Sequence, residues 1–475
     1  MKALLRRAPG SFVEGFERVR EELRVPKDFP PEVLAAAEAA EPIPTDRRDR
    51  TDVGFVAIDP PGAADLDQAF FAEATPDGYR VLYAIADLGA FVTPGGPVDV
   101  EARKRGTTLY SPDLRTPLLP PVISEDRASL LARTLKPALV WELELDGEGV
   151  CVRSHLERST VRVREAISYR EAQRRIDAGD AFLALLRTIG TLRQEREAER
   201  GGVSLNLPAQ EIIEVDDSYQ LAYDETLPVE GWNAQISLLA GMVAGQTMVD
   251  AGVGILRTLP PTSQQNLDQL RQQAGALDVA WPTDLSYPDL VRYLRPDIPR
   301  HSAFLLQAAR SFRGAGYVSI ASALAASPSD DGKPVTLTHG AIGALYAHVT
   351  APLRRLVDRF ANEILLSLYA GETPPSWATE ALDELPGLMG KARSRESNLE
   401  RTLLDFAEAM VLEPLVGHRV RGTVVSLDQA RSVATVQIAE TAIVASISTE
   451  HGPAPALADE LDLVVHAADP VTRTI

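Results

Sequence analysis

Three carboxylates, Asp59, Asp65 and Asp67, fall within nine positions of one short run, I-D-P-P-G-A-A-D-L-D-Q. Carboxylates this close repel one another, so the pattern calls for a cation or a set of backbone donors to compensate. Oxygen ligands flanked by Pro, Gly and Ala suit Mg²⁺ or Mn²⁺, hard ions that keep part of their water shell and accept phosphate oxygens. Two such ions about 3.5–4 Å apart activate a water and stabilise a leaving oxygen in phosphodiester hydrolysis. The Gly and bidentate Glu positions of an EF-hand do not match. The plainer alternative is a solvated turn, for which Asp, Pro and Gly are the usual residues.

A second constellation lies far along the chain, in Y-A-H-V-T-A-P-L-R-R-L-V-D-R. Thr350 and Pro352 resemble a helix start, with the proline just inside the first turn. That turn presents Arg354 and Arg355, followed by Asp358 and Arg359. Free amides at a helix N-terminus beside guanidinium groups make a ready phosphate site. The alternative is an ordinary surface helix with an i,i+4 pair of Arg354 and Asp358.

Both segments need a frame. G-F-V-A-I-D and Y-R-V-L-Y-A-I-A-D have strand character, as does the hairpin V-W-E-L-E-L-D-G-E-G-V-C-V-R-S-H-L-E-R-S-T-V-R-V turning at Asp146–Gly149. Helical periodicity follows at Tyr169–Ile176, Ala181–Glu199, Asn233–Asp250, Leu267–Gln273, His301–Ala309, Leu353–Tyr369 and Ser397–Val411. This mixture predicts an α+β protein with one large α/β domain over residues 49–412. Residues 1–48 form a short, charge-balanced helical unit, with Phe12–Leu23 and Glu32–Ala40 disposed as in a helix-turn-helix. Residues 413–475 hold four short strands rich in Val, Ile and Thr, which suits an OB-type barrel.

Composition bounds the rest. The chain has 475 residues, 48 Lys+Arg against 67 Asp+Glu, and a net charge of −19. On its face that acidity disfavours a nucleic-acid partner, because phosphate affinity comes mainly from Lys and Arg. The basic residues are unevenly chosen, with 6 Lys and 42 Arg, and Cys151–Arg200 carries 11 Arg against 8 acids. The single cysteine, Cys151, excludes an internal disulfide framework and a Cys-rich zinc site. The apolar stretch Ile236–Ala244 is about half a membrane span, and the start has no apolar core of a secretory signal. A cytoplasmic monomer without a membrane partner is expected.

Five ordered segments together resemble the catalytic domain of the ribonuclease II and ribonuclease R family of 3′-to-5′ exoribonucleases. The family's T-I-D-x-x-x-A-x-D-x-D-D-A reads here A-I-D-P-P-G-A-A-D-L-D-Q-A, and its H-I-A-D-V-S reads A-I-A-D-L-G, keeping Asp87. R-G-T-S-V-Y and P-M-L-P correspond to Arg105–Tyr110 and Pro117–Pro120. H-F-T-S-P-I-R-R-Y-x-D-L corresponds to His348–Arg359, and A-E-R falls within Asn398–Arg401. The resemblance implies a deep RNA channel in the catalytic domain, an S1-like character for the C-terminal barrel, and single-stranded RNA with a free 3′ end as partner. It implies Asp59, Asp65 and Asp67 as acids of a Mg²⁺ or Mn²⁺ site and Asp67 as the acid most directly tied to cleavage. Arg354 is implied at the scissile phosphate, Tyr110 and Tyr169 beside the terminal bases, and Glu400 at the terminal nucleotides. Arg105 and Arg355, inside matched motifs, are expected to contact RNA.

The departures are specific. Gln68 replaces the fourth acid and is expected at the metal, where an amide oxygen binds Mg²⁺ more weakly than a carboxylate. Ala84 replaces a histidine, and Ala234 and Gln235 stand near positions that usually carry glutamates. The C-terminal segment from Gly417 has no Phe, Tyr or Trp, which makes it a poor stacking platform. The main reading is therefore a metal-dependent exoribonuclease releasing 5′-nucleoside monophosphates. Its rival is a catalytically weakened RNA-binding relative, and a third reading is a DNA-binding regulator using residues 1–48.

Overall fold

Unbroken apolar runs in V-L-Y-A-I-A and A-L-V-W place two long strands, Gly78–Ala86 and Leu135–Asp146, in the middle of the main sheet. A computed structural model describes residues 9–475 except 205–209, 216–217, 224–225, 296–297, 310–311, 313, 326–335, 429–431, 439–442 and 451–454. Across the sheet the order is Arg48–Arg50, Cys151–Arg162, Leu135–Asp146, Gly78–Ala86, Gln68–Thr75, Val56–Asp59 and Glu165–Ser168. The inner pairings are antiparallel; the two outermost strands pair in parallel. Trp141, Tyr83 and Phe70 are fully buried in one continuous core between this sheet and helices that include Ala181–Glu199, Pro228–Asp250 and Leu356–Ala370.

The sheet fixes the acidic loop at both ends. Asp59 closes the strand Val56–Asp59 and pairs in register with Ser168, whose hydroxyl caps the helix Tyr169–Asp177 by accepting the Glu171 N–H at 3.2 Å. Tyr169 therefore starts its helix beside Asp59. At the other end Gln68 opens the strand Gln68–Thr75, and Ala86 donates its N–H to the Asp67 carbonyl. Between them Leu66 is buried; its N–H bonds Ser129 Oγ at 3.0 Å and its carbonyl accepts from Leu130. A buried leucine flanked by two aspartates holds the loop against the core while leaving the acids at its edge.

The hairpin Leu135–Asp146 with Cys151–Arg162 turns where expected, but its first strand begins five residues before the expected Val140; the helix Ala181–Glu199 has the expected limits. The segment around Arg354 does not. Helix begins only at Leu356, with Arg355 extended at its cap. The Ala351 N–H is taken by Asp358 Oδ1 at 2.7 Å, and Asp358 pairs with Arg355, not Arg354, at 2.9 Å. The residues expected to form the first turn bond across to Gly106–Thr108: Thr108 N–H to the Arg354 carbonyl at 3.0 Å and Leu356 N–H to the Gly106 carbonyl. Gly106, at φ +75, lies so close to the helix Leu385–Leu412 that a Cβ would meet Ala392 at 2.6 Å. Only glycine satisfies both constraints.

The N-terminal helices do not pair as a helix-turn-helix. Pro9–Glu22 lays Phe12, Phe16 and Val19 against Leu399, Leu403 and Phe406 of Leu385–Leu412, whereas Pro31–Glu38 buries Val33 and Ala37 in the main core. Each amphipathic face is used up on a different partner. In the C-terminal segment four antiparallel strands run in the order Val444–Ser448, Val433–Ile438, Arg419–Asp428 and Glu460–Val464, consistent with an OB-type unit. Among the described residues no helix is long and apolar enough to cross a membrane.

Candidate active site at the acidic loop

Backbone pairing between distant motifs assembles the site. Pairing of Gly106–Thr108 with Arg354–Leu356 sets Tyr110 near Arg354, and the Leu353 N–H bonds Asp67 Oδ1 at 2.8 Å. Arg354 Nε then lies 3.4 Å from Asp67 Oδ2. Asp67 is only 4% exposed, and burial pushes its carboxyl up to about 7 against the opposing pull of Arg354 and the Leu353 N–H. Asp59 is likewise pushed up to about 7, chiefly by burial, with Arg354 opposing and Asp65 adding repulsion. Both groups lack enough positive charge to ionise at their ordinary pKa.

Asp65 has found a cation: Arg115 bonds its Oδ1 and also Glu125 at 2.7 Å. Among the described residues no three His, Cys, Asp or Glu side chains form a ready metal cluster. The donor chemistry still fits a divalent ion at Asp59 and Asp67, because Asp59 Oδ2 is buried without a hydrogen-bond partner and both carboxyls are electrostatically underpaid. Gln68 does not join them. Its carbonyl oxygen accepts from the buried Tyr83 hydroxyl and from Ser237 Oγ at 3.2 Å. The expectation that Gln68 serves the metal is corrected on that ground: its ligating oxygen is already committed.

Tyr110 ends the short strand Leu109–Tyr110 opposite Arg115 and is half-exposed. It walls a cavity of about 210 Å³ shared with Arg257, Tyr317, His348, Arg354, Arg355 and Arg393. On its other side it lines a hollow of about 220 Å³ with Glu400, which is exposed on Leu385–Leu412. Tyr169 borders a third hollow of about 800 Å³ with Pro60, Pro61 and Glu230, and its hydroxyl bonds Asn233. Burial and nearby acids raise Tyr110 to about 12, so its ring stays neutral.

Arg105 is a second correction. Its side chain is buried, pairs with Glu101 at 3.0 Å, donates to the Pro117 and Asp28 carbonyls, and stacks 3.7 Å over Phe29. It ties the N-terminal segment to the main core and, being buried, presents no surface to RNA. Arg355 keeps its place on the cavity wall, with Asp358 balancing its charge. Sequence reasoning assigned no role to Arg115, Arg257, Tyr317 or Arg393. The pairing of Arg115 with Asp65 spans 50 positions, and Arg257 sits on an unremarkable short strand, so neither carries a local signal.

The RNB domain family model matches residues 47–371. A curated relative, the exosome complex exonuclease RRP44 homolog A of Arabidopsis thaliana, is 30% identical over 67% of this chain and 35% of its own length. Among solved structures, the apo form of Mycoplasma genitalium RNase R superposes with a TM-score of 0.84 at 18% identity, covering 98% of this chain and 77% of that one. Yeast Ssd1, described as a pseudonuclease, matches with a TM-score of 0.67 at 15% identity, covering 92% and 55%. The chain spans 35%, 41% and 53% of the lengths of three curated relatives it matches.

Proposed function

The chain belongs to the RNB domain family, and from that membership we propose that it is a 3′-to-5′ exoribonuclease that hydrolyses single-stranded RNA to 5′-nucleoside monophosphates. The observation that carries this reading is the pair of buried, undercompensated carboxyls, Asp59 and Asp67, within reach of Arg354. Asp59 and Asp67 would hold a divalent ion, Mg²⁺ or Mn²⁺, beside Asp65, whose position Arg115 fixes. Such an ion would supply an activated water and neutralise charge on the phosphate. Arg354 stabilises the charge that develops on the transferring phosphate. Tyr110 stacks on a base near the 3′ end, which tolerates any sequence. Tyr169 and Glu400 line hollows on either flank and position the terminal nucleotides, and Arg355 contacts the RNA backbone from the cavity wall.

The domain assignment accompanies this reading: residues 1–48 as an N-terminal helical segment, 49–412 as the catalytic domain and 413–475 as the S1-like unit, in a cytoplasmic monomer. Incubation with labelled RNA and either metal tests it. Mononucleotides released from the 3′ end are the expected result, and intact RNA in both metals defeats the reading. One observation favours a second reading, a catalytically weakened RNA-binding relative: the fourth-acid position is Gln68, locked to Tyr83 and Ser237. That reading predicts salt-sensitive RNA binding without turnover.

A further inference from the structure

The cavity beside Tyr110 contains a cation that the proposed chemistry does not use. Arg257, on the strand Ile255–Thr258, is 8% exposed and lines the 210 Å³ cavity. Its backbone is fixed by pairing with Tyr317 and by its N–H to the Tyr346 carbonyl at 2.8 Å. Its guanidinium lies 4.7 Å from the centre of the Tyr317 ring. Among the described residues no carboxylate pairs with it. The neighbouring arginines differ in this respect: Arg354 has Asp67 at 3.4 Å, and Arg355 has Asp358 at 2.9 Å.

A buried guanidinium without an anion is costly, and Arg355 and Arg393 add like charge from the same wall. Their repulsion and burial both act against its protonated form. His348 does not share the load, since burial and the same arginines hold it well below its ordinary pKa, as the neutral partner of the Tyr317 hydroxyl at 2.7 Å. Glu396 is the one acid on this wall among the described residues, and burial raises it toward its neutral form. The planar fork of an arginine suits two oxygens of one phosphate.

We infer that Arg257, backed by Tyr317 and flanked by Arg393, is a binding site for one RNA phosphodiester distinct from the linkage being cleaved. The cavity then grips two neighbouring phosphates, one at Arg354 and one at Arg257. Grip on the second anchors the strand while the first is hydrolysed. This inference rests on the exoribonuclease reading.

The test measures binding of metal-free protein to a set of short RNAs, each with one linkage near the 3′ end replaced by an uncharged methylphosphonate. Wild type is expected to lose about tenfold to a hundredfold in affinity at the linkage Arg257 holds, the range for a charged hydrogen bond. Arg257→Gln should bind the unmodified RNA that much more weakly and become indifferent to that one replacement, while Arg257→Lys retains part of the discrimination. Melting temperatures of the variants verify folding. Discrimination by Arg257→Gln at every linkage the wild type reads, or unchanged affinity for unmodified RNA, overturns the proposal alone. A wild-type chain that binds none of the RNAs overturns it together with the exoribonuclease reading.

Discussion

Leu353 donates its backbone N–H to Oδ1 of Asp67 at 2.8 Å, joining two motifs 286 positions apart. The bond delivers Arg354, the next residue, to the other oxygen of the same carboxylate at 3.4 Å. The acid and the arginine are thus placed by one backbone contact, not by two independent side-chain conformations. A shift in the chain before the helix Leu356–Ala370 moves both.

Asp67→Asn keeps an oxygen for the Leu353 N–H and removes the charge. Hydrolysis of labelled RNA should fall by about a thousandfold or more, in line with loss of charge at a metal-assisted centre. Affinity for uncleaved RNA in chelator should stay within about threefold, because the phosphate-gripping arginines are untouched. Turnover near the wild-type rate would remove Asp67 from the chemistry.

Burial raises Asp59 and Asp67 to about 7, well above an unfolded value near 4. A group with a raised folded pKa favours the folded state when protonated. Its contribution is complete below about pH 4 and lost as pH rises through about 7. Metal-free protein should therefore melt higher at pH 6 than at pH 8, with each acid contributing about 1–2 kcal/mol. Asp67→Asn should raise the pH 8 melting temperature and flatten the difference. Mg²⁺ should recover stability at pH 8 in the wild type. A wild-type melting temperature that climbs from pH 6 to pH 8 in chelator contradicts this account.

Gln68→Asp tests what the Tyr83–Gln68–Ser237 cluster does. An acid here adds a charge beside Asp59 and Asp67, and, one methylene shorter than glutamine, it reaches less far toward the Tyr83 and Ser237 hydroxyls that Gln68 holds. In a working enzyme that manages without the fourth acid, activity should change by less than about tenfold and the Mg²⁺ concentration for half-maximal rate should fall. Activity rising from an undetectable wild-type level would favour the weakened relative.

The sequence made the frame legible where local periodicity and packing agree. Ala181–Glu199 begins where its pattern says, because Asp180 accepts from the Phe182 and Leu183 amides at 3.0 Å and caps the helix locally. Thr350 and Pro352 misled because the amides after them are satisfied at long range, by Asp358 and by strand-like pairing with Thr107. Arg105 and Gln68 were misread for the same reason. Their partners, Asp28, Tyr83 and Ser237, are separated from them by 77, 15 and 169 positions. Asp59, Asp65 and Asp67 stay together in the structure because one tight loop holds all three within nine residues. Arg257 was invisible because its significance lies in having no carboxylate beside it among the described residues, and a sequence does not show that.

The N-terminal helix Pro9–Glu22 backs the Tyr110 hairpin. Arg20 bonds both oxygens of Asp113, at 2.5 and 2.9 Å, in the turn after Tyr110, and the side chains are 12% and 10% exposed. Phe12, Phe16 and Val19 bury Leu109, the residue before Tyr110. Removing either charge frees the turn without touching the acids or Arg354. Arg20→Ala should raise KM for short RNA by about three- to tenfold, with kcat within about twofold, as a lost stacking contact does. The exchanged pair Arg20→Asp with Asp113→Arg should recover part of the loss. In a Tyr110→Ala background, Arg20→Ala should add less than about twofold, since both changes act through the same ring. Equal effects of Arg20→Ala with and without Tyr110 would show that the helix acts elsewhere.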